Sequence, residues 1–137
     1  ASSPAALAEQ CETIITILTH AEAQDAVYTT PNGILSVNLG NRLVIDMSTV
    51  RPDENQALAA KVRAKGAAFV ECPVGGTTGP ARQGKLLGLA GGDAADIARA
   101  KPLLPHSLRQ DRGPPNRCSI KCAAGSNTSA PSARAPA

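Results

Sequence analysis

Leu43-Val44-Ile45-Asp46-Met47-Ser48-Thr49-Val50-Arg51-Pro52 is the stretch on which the reading of this 137-residue chain turns. Its first half is a short aliphatic and β-branched run of the kind that forms a buried strand, and its second half supplies hydroxyls and a proline where a helix begins. The helix that follows is the best formed in the sequence. Pro52 lies near its start, Asp53 and Glu54 face the positive end of its dipole, and Leu58 and Val62 are spaced i,i+4. Lys61, Arg63 and Lys65 then crowd the last turn before Gly66 stops it. Ala67 to Glu71 reads as the next strand, so the centre of the chain is strand, helix, strand.

Working outward, Ser3 is placed to cap a short helix over residues 4–10 with Pro4 in its first turn, and residues 13–18 have the pattern of a strand buried on both faces. A helix is expected around Ala21–Tyr28 and a turn at Pro31-Asn32-Gly33. Residues 86–90 supply a fourth strand, and Asp93 can cap a last helix from Ala94 to about Leu104. Alternating short apolar strands and helices predict an α/β domain built on a parallel sheet with helices on its faces. Ligands of such sheets sit at the carboxyl ends of the strands, where this sequence has Thr19-His20, Ser48-Thr49 and Gly75-Gly76-Thr77.

Composition limits the function classes. The only aromatic residues are Tyr28 and Phe69, so the core is built from small aliphatic side chains. Acidic and basic residues nearly balance through residue 105. The net charge of +3 comes from the remainder, where Arg109, Arg112, Arg117, Lys121 and Arg134 face Asp111 alone. With no aromatic side chain there to stack on bases, nucleic acid is not an expected partner. No apolar run approaches the ~18 residues of a membrane span. Cys11, Cys72, Cys118 and Cys122 lack the paired spacing of a zinc site, so no metal is expected and a cytoplasmic location fits. Residues 106–137, rich in Ser, Ala, Pro and Arg, read as a disordered tail.

Two groups of residues invite chemistry. Hydroxyls at a strand-to-helix junction, Ser48 and Thr49, either cap the helix or bond a ligand. Gly75-Gly76-Thr77-Thr78-Gly79 offers unobstructed backbone N–H groups suited to an anion, as a plain flexible loop also would. His20, without a partner carboxylate, reads as a solvated loop residue.

Asp46-x-Ser48-Thr49-x-x-Pro52, followed by Pro73-Val74-Gly75-Gly76 with Ala81, Gly84 and Leu86, resembles the middle of the β-hydroxyacid dehydrogenases, which include 3-hydroxyisobutyrate dehydrogenase, tartronate semialdehyde reductase and sulfolactaldehyde reductase. The resemblance implies a partial Rossmann-like domain over residues 1–105, its second half, with the first βαβ unit missing and residues 106–137 frame-shifted or non-homologous. It implies an NAD- or NADP-dependent oxidoreductase of a small β-hydroxyacid or its semialdehyde. Leu18, Thr19 and Thr49 would contact the cofactor, and Ser48, Gly75, Gly76 and Thr77 the substrate. Gly75 stands where the family commonly has Ser, and Thr77 where it has Gly. Neither the family's Gly-x-Gly-x-x-Gly turn nor its Gly-x-Gly-x-x-x-Lys helix occurs in the sequence, and Lys121 matches the latter in neither spacing nor context. No catalytic residue is therefore assigned, and the 137 residues alone are expected to be inactive. The alternative reading is a non-catalytic module that pairs with a full-length homologue, or with its own copies, through an open sheet edge.

Overall fold

A computed structural model describes residues 1–104 and, as backbone, two further strands at residues 107–112 and 118–123. Three short strands, β1 (Thr13–Thr16), β2 (Leu43–Asp46) and β3 (Ala68–Glu71), lie parallel and in register, Thr16 beside Asp46 and Asp46 beside Glu71. Three helices cover one face: α1 (Pro4–Gln10), α2 (Ala21–Tyr28) and α3 (Pro52–Ala64). They enclose a core of Ala8, Ile14, Tyr28, Val44, Leu58, Val62 and Phe69. On the other face α5 (Ala94–Ala100) brings Ile97 and Ala100 against Leu43, Ile45, Ala68 and Val70. The alternation of neighbours in sequence between the two clusters is the period-2 pattern of a strand covered on both sides. Wholly buried Val44 and Ile45 each stabilise the fold by about 1.5–3 kcal/mol relative to exposure.

The local signals behave as their chemistry requires. Ser3 accepts from the Ala6 N–H at 3.1 Å to cap α1. Glu54 accepts from the Arg51 N–H at 3.1 Å at the start of α3, and Gly66, at φ +86°, ends that helix in a conformation side chains resist. Asp93 departs from expectation. It stands at the N-cap of α5 but makes no capping bond, because its carboxylate pairs with Arg63 Nη2 at 3.2 Å.

Other departures concern the sheet. β1 stops at Thr16 and is buried on one face only, leaving Ile15 53% and Ile17 64% exposed. It is the edge of the sheet, and α5 packs on β2, β3 and β5 (Leu87–Gly92), so nothing among the described residues covers its second face. The strand expected at 86–90 is this β5. It runs antiparallel to β3, pairing Gly91 with Glu71, because the chain returns through β4 (Val74–Gly75) and a five-residue helix, α4 (Thr78–Arg82), with no full crossover. Beyond it, residues 107–112 (β6) and 118–123 (β7) form an antiparallel hairpin on the free side of β5. An unpaired edge offers a row of backbone donors and acceptors that recruits such strands. The rest of the tail expected to lack order lies outside the described residues. No described helix is long and apolar enough to cross a membrane.

Candidate functional site

The carboxyl ends of β1 and β2 are joined by a buried polar network centred on Asp46, a wholly buried residue. Its Oδ1 accepts from Thr16 Oγ1 at 3.0 Å, from Ser48 Oγ at 2.6 Å and from the Ser48 N–H at 3.1 Å, and its Oδ2 accepts from Gln24 Nε2. Gln24 and Tyr28, one turn apart on α2, both point into the sheet. With the Thr16 hydroxyl hydrogen given to Asp46, Tyr28 donates to Thr16 Oγ1, 2.7 Å away. Burial pushes the Tyr28 hydroxyl well above its ordinary pKa. The bond to Thr16 acts in the opposite sense, and the nearby Asp46 charge adds to the rise.

The network ends on the backbone of the loop after β1. Ser48 Oγ accepts from the Leu18 N–H at 2.9 Å, and Met47 N–H donates to Thr16 O at 2.7 Å. Leu18, expected at the cofactor, is therefore held beside Ser48, expected at the substrate, with Thr49 next in the chain. Ser48 itself needs a correction. It is 2% exposed, and its one hydroxyl hydrogen goes to Asp46, so the bond it was expected to donate to a substrate goes inward. Thr49 and Thr19 are exposed, and Leu18 is half-buried against the core. His20 is more than a solvated loop residue, since its Nδ1 accepts from the Ala23 N–H at 3.2 Å and caps α2.

The glycine-rich loop is built differently. Gly75, Gly76 and Thr77 are all exposed. Gly75 pairs with Leu87, Gly76 has φ +141°, and a Cβ on Gly76 would lie 2.7 Å from Leu86 Cδ2. Thr77 occupies the N-cap of α4 without a side-chain capping bond. The loop presents open backbone and one hydroxyl beside the strand end, geometry that can receive an anion.

The Asp46 network escaped the sequence reading because its members are scattered over residues 16, 24, 28, 46 and 48. The visible signal was Gln24 and Tyr28 at i,i+4 on a helix face that must be buried. Among the described residues no group of three or more His, Cys, Asp or Glu side chains is placed to hold a metal. The side chains of Cys118, Lys121 and Cys122 lie outside the described part.

Comparison with known proteins places this geometry in a family. The profile described as the NAD binding domain of 6-phosphogluconate dehydrogenase matches residues 1–109. Mitochondrial 3-hydroxyisobutyrate dehydrogenase of Rattus norvegicus is 41% identical over 104 residues, which are 76% of this chain and 31% of that protein. The 3-sulfolactaldehyde reductase of Escherichia coli K12 is 40% identical over 104 residues, 76% of this chain and 35% of that one. The solved structure of Psf3 in complex with NADP+ and 2-OPP superposes with a TM-score of 0.68 at 28% identity, over 75% of this chain and 37% of its own. The chain thus spans about a third of the length of the relatives it matches.

Proposed function

The chain belongs to the family of the NAD binding domain of 6-phosphogluconate dehydrogenase, and from that premise we propose that residues 1–104 form the nicotinamide-side half of an NAD(P)-dependent dehydrogenase or reductase of small β-hydroxyacids. The observation that carries this reading is the Asp46 network, which fixes Leu18 against Ser48-Thr49 at adjoining strand ends. A bound nicotinamide would supply the hydride acceptor or donor. Leu18, Thr19 and the exposed Thr49 hydroxyl would position its ring. The N–H groups of Gly75–Thr77 would hold the substrate's anionic group, with Ser48 acting through the loop rather than on the substrate. The exposed Thr49 hydroxyl and the Leu18 side chain would suit such a ring. The glycine turn for a pyrophosphate and the Gly-x-Gly-x-x-x-Lys helix, which would move the hydroxyl proton, do not occur in these 137 residues. By themselves, these residues should therefore catalyse no NAD(P)-linked oxidation.

The test is a chimera in which this chain's aligned segment replaces the corresponding 104 residues of the rat dehydrogenase. It should bind NAD(P)+ and oxidise a short β-hydroxyacid, and Thr49→Val should raise the KM for cofactor several-fold. A folded chimera that binds no dinucleotide would overturn the proposal.

A second reading rests on the β1 edge, where Ile15 and Ile17 are exposed. The module would pair through that edge with a full-length homologue and carry no catalysis of its own. Co-purification of the two, abolished by Ile15→Lys, separates this reading from the first.

A further inference from the structure

The two oxygens of the Asp46 carboxylate are held by different elements. Oδ1 accepts from Thr16 on β1 and from the Ser48 hydroxyl and N–H. Among the described residues Oδ2 accepts only from Gln24 Nε2, on α2. That contact also orients the Gln24 amide, because a carboxylate only accepts and Nε2 is the donor end. Rotation of an aspartate about its Cβ–Cγ bond is soft. Without a donor on Oδ2, the carboxylate is free to turn and draw Oδ1 away from Ser48, whose Oγ accepts from the Leu18 N–H at 2.9 Å. A hydroxyl that donates to a carboxylate is a stronger acceptor for the next N–H, so the Leu18 bond depends on the orientation Gln24 sets.

Gln24 also fixes the far end of the same loop. Its N–H donates to His20 O at 3.2 Å in the first turn of α2, where His20 Nδ1 accepts from the Ala23 N–H. Thr19 thus lies between Leu18, bonded to Ser48, and a helix start tied to Asp46 through the Gln24 side chain. Resting on the cofactor reading above, we propose that Gln24 is a positioning residue for the nicotinamide: it holds Asp46 in the orientation that keeps Ser48 on the Leu18 N–H, and anchors the helix into which Thr19 leads. At 4% exposed, it acts through these neighbours and touches no ligand itself.

The experiment is an amide NMR titration of the 137-residue chain with nicotinamide mononucleotide, paired with amide hydrogen exchange of the free chain, at about pH 5.5 and about pH 8. Gln24→Glu keeps the side chain's shape. Its carboxyl, protonated at the lower pH, donates to Asp46 Oδ2 as the amide does; ionised at the higher pH, it repels Asp46. The variant should therefore bind the mononucleotide like the wild type at the lower pH and about fivefold more weakly at the higher one. There, exchange at Leu18 should rise more than exchange at Ile45. Gln24→Met, which is neutral, should show the weaker binding and the faster Leu18 exchange at both pH values. Val62→Ala, a truncation in the core beneath the same sheet face, should lower stability with Leu18 and Ile45 exchange rising together and affinity unchanged. The other titratable groups on α2, Glu22 beside His20, Asp25 beside Lys61 and the buried Tyr28, are common to all the variants, so each is read against the wild type at the same pH. Absence of mononucleotide shifts in the wild type would overturn the cofactor reading, and the positioning role with it. Wild-type binding that both Gln24 variants retain at every pH, or Leu18 exchange that follows Ile45 in them as in Val62→Ala, would overturn the role of Gln24 alone.

Discussion

At the end of β2 the chain is tied down atom by atom: Ser48 bonds Asp46 through both its hydroxyl and its N–H, and reaches across to hold the Leu18 backbone. At the end of β3 the corresponding loop has one strand pairing through Gly75, a positive-φ glycine and a threonine whose hydroxyl caps nothing. Both loops leave the sheet at the edge where ligands of α/β folds gather. The first is fixed by the protein's own hydrogen bonds, which suits the proposed nicotinamide position. The second, with fewer such ties, suits the proposed position of the substrate's anionic group. Rigidity here is the product of buried hydrogen bonds, and adaptability follows from glycines that give up such ties.

The contrast can be broken most forcefully at Asp46. Asp46→Ala strands the Thr16, Gln24 and Ser48 donors in a dry interior, and should cost about 3–5 kcal/mol, read as a lower denaturation midpoint at unchanged slope. A loss below ~1 kcal/mol would mean that the network is ornamental.

A second effect is on pH dependence. Tyr28 has a folded-state pKa raised above its ordinary 10.0, mainly by burial. The unfolded state therefore loses its proton first as pH rises. The phenol's contribution to stability is complete below pH 10.0 and falls above it by up to ~1.4 kcal/mol per pH unit until the folded pKa is reached. Tyr28→Phe should remove that extra alkaline loss when its stability-versus-pH curve is set beside the wild type's, and parallel curves would contradict the burial argument.

Ser48→Ala should cost about 1–2 kcal/mol and accelerate amide exchange at Leu18 specifically. Thr77→Val, in the open loop, should change stability by no more than about 0.5 kcal/mol. Comparable losses at both positions would erase the distinction between the two loops.

Much of this was legible in the sequence, for reasons particular residues make plain. The dipole-ordered charges of α3, its Pro52 start and its Gly66 stop specify a helix without tertiary help. The Val44–Ile45 pair specifies a strand covered on both faces. The parallel register of β1, β2 and β3 follows from the helical connections between them. Burial of β1 was misjudged because Ile15 has the same β-branched character as Ile45, and only the position of α5 decides which of them is covered. The antiparallel turn of β5 was hidden because Gly-rich residues 75–79 read as a loop, while they form part of a tight return. The Asp46-x-Ser48-Thr49 cluster was legible as a polar group at a strand end, but the inward direction of the Ser48 hydroxyl depends on a carboxylate two residues away on the same buried face, which spacing does not show.

The most direct measurement is an amide NMR titration of the 137-residue chain with nicotinamide mononucleotide, which carries the ring without the pyrophosphate. The account predicts saturable shifts concentrated at Leu18, Thr19 and Thr49, reduced in Thr49→Val, with the Gly75–Thr77 amides little moved. Shifts confined to the glycine loop, or none at Leu18 and Thr49 while the chain remains folded, would contradict the claim that the Asp46-anchored strand ends form the nicotinamide-side surface.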